Sequence, residues 1–140
     1  MATAFRYGNP AVQCGGAQVR SQCRQLATVV AVTGAVTVEN IDLLTRQVTR
    51  SIIREKPYVL DLTGVTSFTA EALSLLAAVD DTCRRTADEW LVIPSQSVAR
   101  VMRLNACQFA TTASVPDALQ CFSDTMTERR QLLPLLAKSA

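Results

Sequence analysis

The chain has 140 residues, 49% hydrophobic and 19% charged, which suits one domain with a single core and excludes a mainly disordered chain. Lys+Arg 14 against Asp+Glu 12 gives a net charge of +2, so there is no basic footprint for nucleic acid, and 5% aromatics are too few for a base-stacking platform. Histidine is absent, which removes Ser-His-Asp triads, Cys-His nucleophiles, His-metal sites and imidazole acid–base chemistry.

Residues 1–16 are rich in Gly, Ala and Gln without periodicity and read as a loose N-terminal arm. Weak alternation through Val19, Ser21, Cys23 and Gln25 suggests an edge strand, which could pair across a homodimer. Residues 27–33 (ATVVAVT) are β-branched and nearly all apolar, as a strand buried on both faces would be. Gly34 ends it, and Thr37 is placed to cap a helix. Val38, Ile41, Leu44, Val48 and Ile52 recur at steps of three and four, giving one apolar stripe on a surface helix of about 17 residues. Pro57 stops that helix. Residues 58–62 (YVLDL) form a second buried strand, so strand, helix and strand make a βαβ unit with parallel strands.

Residues 63–69 (TGVTSFT) read as a turn-rich loop and 70–85 as a helix, apolar through ALSLLAAV and polar from Asp80 onward. Residues 90–93 (WLVI) give a third buried strand. Ser95 or Ser97 caps a short helix carrying Val98, Val101, Met102 and Leu104. Residues 105–113 leave room for a last short strand. Ser114-Val115-Pro116-Asp117 then reads as a helix start, with Ser at the cap and Pro just inside. Ala118, Leu119 and Phe122 continue it, and residues 127–140 form a helical tail. The domain proper therefore spans 17–126.

None of Cys14, Cys23, Cys83, Cys107 and Cys121 forms a C-x-x-C pair, so a zinc site is not expected, and no other metal or cofactor motif is present. Each cysteine reads as a small buried hydrophobe. Arg84 and Arg85 beside Cys83 are the one hint of a reactive thiol. The longest apolar-rich run, 26–38, is too short to span a membrane, and no secretory signal opens the chain. A cytoplasmic protein with reduced thiols follows.

The order and spacing of these elements resemble the STAS domain of bacterial anti-sigma factor antagonists. The patterns that carry the resemblance are Val29–Gly34 followed by Ala35-Val36-Thr37, then Leu60-Asp61-Leu62-Thr63-Gly64-Val65-Thr66, the apolar Leu73 and Leu76, residues 97–106 (SVARVMRLNA) and the helix start at Ser114. The implied fold is α/β: a STAS-like single domain with a mixed four- to five-stranded sheet and about four helices packed mainly on one face. The implied function is regulatory. Such a protein binds a kinase-type anti-sigma factor and thereby controls sigma-factor-dependent transcription. Two alternatives are a non-phosphorylatable STAS scaffold subunit of a signalling assembly and a small-molecule-sensing STAS domain. No phosphate loop, metal cluster or activated nucleophile supports catalysis, so no enzyme and no catalytic residue is expected.

The family's Asp-Ser-Ser-Gly tetrad becomes Thr69-Ala70-Glu71-Ala72 here. Glu71 therefore stands where the resemblance places the phosphoacceptor Ser. The resemblance also implies a partner surface of Gly34, Thr37, Thr66, Ser67, Phe68, Thr69, Ala70, Glu71 and Ala72. A carboxylate in a helix's first turn interacts favourably with the amides there, by about 0.3–1 kcal/mol. It would also imitate a phosphoserine, imperfectly, since a phosphate carries about −1.5 to −2 and three acceptor oxygens. Thr69 reads as the helix N-cap; Thr69, Ser67 and Thr66 are the alternative phosphoacceptors. Asp61 reads as a strand-end residue and Asp80-Asp81 as the solvated end of a helix.

Overall fold

The computed structural model describes residues 11–139, with side chains described for 11–128. Five strands form one sheet in the order β1-β2-β3-β4-β5. They are β1 (Val12–Cys14), β2 (Ala17–Cys23), β3 (Thr28–Ala35), β4 (Tyr58–Ser67) and β5 (Trp90–Pro94). β1, β2 and β3 pair antiparallel, while β3–β4 and β4–β5 pair parallel. The helices are α1 (Ile41–Arg50), α2 (Leu73–Thr86), α3 (Gln96–Leu104) and α4 (Val115–Ser139).

Alternation along the central strands builds two cores. Val30, Val32, Leu60, Leu62 and Val92 face Leu44 and Val48 of α1, Leu75, Leu76 and Val79 of α2, and Val98 and Met102 of α3. The intervening Val29, Val59 and Ile93 meet Ala118 and Phe122 of α4 on the other face. Three helices thus cover one face and one helix the other. Full burial of each such aliphatic side chain stabilises the fold by about 1.5–3 kcal/mol. That two-sided burial is why β3 and β4 read as continuous apolar runs. Tyr58 belongs to the larger core, and its hydroxyl donates to the Val48 carbonyl at 2.9 Å, joining β4 to α1.

Several expectations are corrected. Of the loose arm over 1–16, residues 1–10 lie outside the described residues, but Val12–Cys14 is a paired strand with Cys14 fully buried. Gly15 and Gly16, both at positive φ, make its two-residue turn into β2. α1 has ten residues and begins after Asn40, because Thr37 closes a turn: Ile41 N donates to Thr37 O at 3.0 Å. Val38 consequently leaves the stripe and is 63% exposed. Residues 63–67 of the expected loop continue β4, and residues 105–113 contribute only an isolated bridge, Thr111 to Val92. α4 runs unbroken through 126 and 127, so the tail continues the last helix. Its start is as expected, with Asp117 N donating to Ser114 Oγ at 3.2 Å. For α3 the cap is Ser95, whose side chain accepts from Val98 N.

Candidate functional site

The two segments singled out by sequence meet at the carboxyl ends of β3 and β4. Register slips between Ala31 and Thr33, and again between Gly34 and Ala35, each place an extra residue on β4. Such bulges bend a strand and re-aim its side chains. Ala35 pairs with Ser67, and Val36 N donates to Ser67 O at 2.9 Å. Beyond the sheet the chain turns through a single 3₁₀ turn, Ala70–Ala72, into α2. Ser97 Oγ donates to Thr66 O at 3.3 Å, bracing the segment from the start of α3.

Thr66, Ser67, Thr69, Ala70 and Glu71 are exposed, and Gly34 and Thr37 are half-buried. Phe68 (7% exposed) and Ala72 (2%) point into the core. Those two hold the loop from beneath and present little surface to a partner. Thr69 does occupy the N-cap position, but its hydroxyl makes no capping bond; its carbonyl accepts from Ala72 N at 3.0 Å. Glu71 sits on the 3₁₀ turn, outside α2 itself. Among the described residues no hydrogen bond or ion pair engages its carboxylate, so its charge is open to solvent and to a partner.

The residue sequence reasoning missed is Asn40. It is 3% exposed. Its Nδ2 donates to Gly15 O and Ala35 O, both at 2.9 Å, and its Oδ1 accepts from Thr37 N at 2.8 Å. One amide thereby ties the β1–β2 turn, the end of β3 and the turn into α1. Gly34 completes the same junction. Its φ is +97°, and a Cβ there would overlap Gly16 O and crowd Ala17 Cα. The available signal was an Asn directly before Ile41, a preferred N-cap residue; it takes that position in α1 but makes no side-chain capping bond.

The remaining candidates resolve into structural roles. Asp61 Oδ1 accepts from Thr63 N at 3.0 Å and Thr63 Oγ1 at 2.7 Å. Asp80 pairs with Arg84 and accepts from Trp90 Nε1 at 3.1 Å, and Asp81 pairs with Arg85 at 3.4 Å. Cys83 is fully buried, and burial, with smaller contributions from Asp88 and Asp80, pushes its thiol up to about 12. That removes the hint of reactivity drawn from Arg84 and Arg85. Cys23 and Cys121 are exposed and are not the core hydrophobes expected. Among the described residues no group of His, Cys, Asp and Glu side chains could hold a metal ion, and no helix is long and apolar enough to cross a membrane.

The STAS domain family model matches residues 18–118, and the chain belongs to that family. It is 35% identical over 142 residues to osmosensory protein A of Mycobacterium tuberculosis (strain ATCC 25618 / H37Rv), covering 96% of this chain and 90% of that protein. An anti-sigma factor antagonist from Mycobacterium paratuberculosis superposes with a TM-score of 0.67 at 18% identity, covering 76% of this chain and 94% of that one. The antagonist SpoIIAA in its unphosphorylated form gives 0.63 at 10% identity, with 76% and 96% covered. At these identities the likeness to the two solved structures is one of fold.

Proposed function

We propose that this protein is an anti-sigma factor antagonist: a cytoplasmic binding module, not an enzyme, that engages a kinase-type anti-sigma factor and so frees a sigma factor. The observation that carries this reading is the 66–71 segment, exposed at every residue but Phe68 and braced between the end of β3 and the start of α3, with an unengaged carboxylate at Glu71. The partner surface is Thr66, Ser67, Thr69, Ala70 and Glu71, with Gly34, Thr37, Phe68 and Ala72 shaping it. Val38, 63% exposed beside Thr37, extends it with an apolar contact. Glu71 holds the protein in a form resembling the phosphorylated one, which binds weakly through like-charge repulsion and the cost of desolvating the anion. The osmosensory name of the 35% identical relative supports an osmotic stimulus upstream of this antagonist.

Calorimetric titration against the anti-sigma partner tests the role of Glu71. Glu71→Ser is expected to bind about tenfold more tightly than wild type, or ~1.4 kcal/mol. It should also become phosphorylated by that partner. Glu71→Gln keeps the size and removes the charge, so it should recover most of the gain. Equal affinities for all three proteins would reduce Glu71 to a local surface residue. Phosphate found on Thr66, Ser67 or Thr69 of the wild type, all exposed, would move the switch to that hydroxyl instead.

A further inference from the structure

Cys23 ends β2, and Lys56 lies 33 residues later in the connection from α1 to β4. Lys56 Nζ stands 2.7 Å from Cys23 Sγ, and the thiol is exposed. Hydrogen bonds from nitrogen to oxygen span about 2.7–3.2 Å. The two side chains are thus in direct contact. One bent oxygen bonded to both nitrogen and sulfur spans about this distance, so the pair is within reach of a single-oxygen bridge. The backbone fixes the approach: Cys23 pairs with Thr28, Thr28 N donates to Pro57 O at 2.9 Å, and Lys56 N donates to Ile53 O at 3.2 Å.

We propose that Cys23 and Lys56 form a covalent N–O–S bridge when the protein meets a hydroperoxide. The Cys23 thiolate attacks one peroxide; the O–O bond breaks, an S–O bond forms, and the alcohol or water leaves with the proton. Sulfur is oxidised by two electrons to the sulfenic acid, a step favoured at exposed thiols. The Lys56 amine nitrogen attacks a second peroxide; its O–O bond breaks, an N–O bond forms to give the hydroxylamine, and the other oxygen leaves as alcohol or water with a proton from the nitrogen. The hydroxylamine oxygen then attacks the sulfenic sulfur, and its S–OH oxygen departs as water. The bridge fastens the end of the β2–β3 hairpin to the start of β4. Thr28 and Tyr58 begin the parallel strands whose far ends carry the 66–71 segment, so this site is separate from the partner surface.

The test is peptide mapping by mass spectrometry after treating the full-length protein with hydrogen peroxide. The expected product joins the Cys23 and Lys56 peptides, heavier than their sum by one oxygen less two hydrogens, and dithiothreitol separates it. The chain has only two lysines, Lys56 and Lys138, so the assignment is unambiguous. Lys56→Arg keeps the cation; it should lose the crosslink while its Cys23 sulfenic acid still reacts with dimedone. Cys23→Ser should lose both signals. Oxidation of wild-type Cys23 to sulfinic or sulfonic acid with Lys56 unmodified would overturn the proposal, as would no reaction at Cys23.

Discussion

Replacing Asn40 by alanine is expected to lower the free energy of unfolding by about 2–4 kcal/mol, because three hydrogen bonds, each worth about 0.5–1.5 kcal/mol, are lost from a part-buried junction. The groups stranded are the carbonyls of Gly15 and Ala35 and the N–H of Thr37. A folded domain is stable by only about 5–15 kcal/mol, so the loss should appear plainly in the urea midpoint. Asn40→Asp separates the contributions. It keeps the acceptor for Thr37 N but sets an anion against two carbonyl oxygens, so at neutral pH it should be at least as damaging as alanine. A midpoint within error of wild type for both variants would show that the junction does not depend on this amide.

Gly34→Ala should cost about 2–5 kcal/mol, combining a left-handed conformation that L side chains disfavour with forced overpacking. The overlap is with backbone, Gly16 O of the β1–β2 turn and Ala17 Cα at the start of β2, and backbone held by the hydrogen bond from Ala35 N to Gly16 O cannot swing aside as a side-chain tip would. The hairpin must shift for the variant to fold. Since Ala35 stands opposite Ser67 and Val36 N donates to Ser67 O, that shift should reach the 66–71 segment and weaken partner binding as well. Gly16→Ala is the control. Gly16 has φ +95° but open space around its missing Cβ, so it should lose less. Equal losses at both positions would assign the effect to backbone conformation alone.

Much of the fold was legible because burial on both faces leaves a β-branched, uninterrupted apolar signature. Residues 27–33 and 58–62 fall in the central strands β3 and β4, and 90–93 in β5, which ends the sheet but buries Val92 on one face and Ile93 on the other. Ser114 was readable because its cap uses only neighbouring backbone. Tertiary pairing hid the rest. Val12-Gln13-Cys14 is three residues long and has no period of its own; it becomes a strand only against Ala17-Gln18-Val19, across a Gly15-Gly16 turn that carried the available sequence signal. Thr63–Ser67 looks like a loop because its composition is that of a turn, yet the bulges opposite β3 keep it in the sheet. At the site, the alignment with the family's tetrad located the segment and Glu71. It could not show that Phe68 and Ala72 turn inward, because their direction is set by the core beneath them. Asn40 was missed because two of its partners, at Gly15 and Ala35, come from elements brought together only by folding.

Sigma-factor release tests the proposed function most directly. A preformed complex of sigma factor and its kinase-type anti-sigma factor would be titrated with wild-type protein and with Glu71→Ser, and free sigma factor measured by gel filtration. The expected result is release by Glu71→Ser near stoichiometric addition, with wild type requiring about tenfold more. An intact complex at saturating amounts of both folded proteins would contradict antagonism.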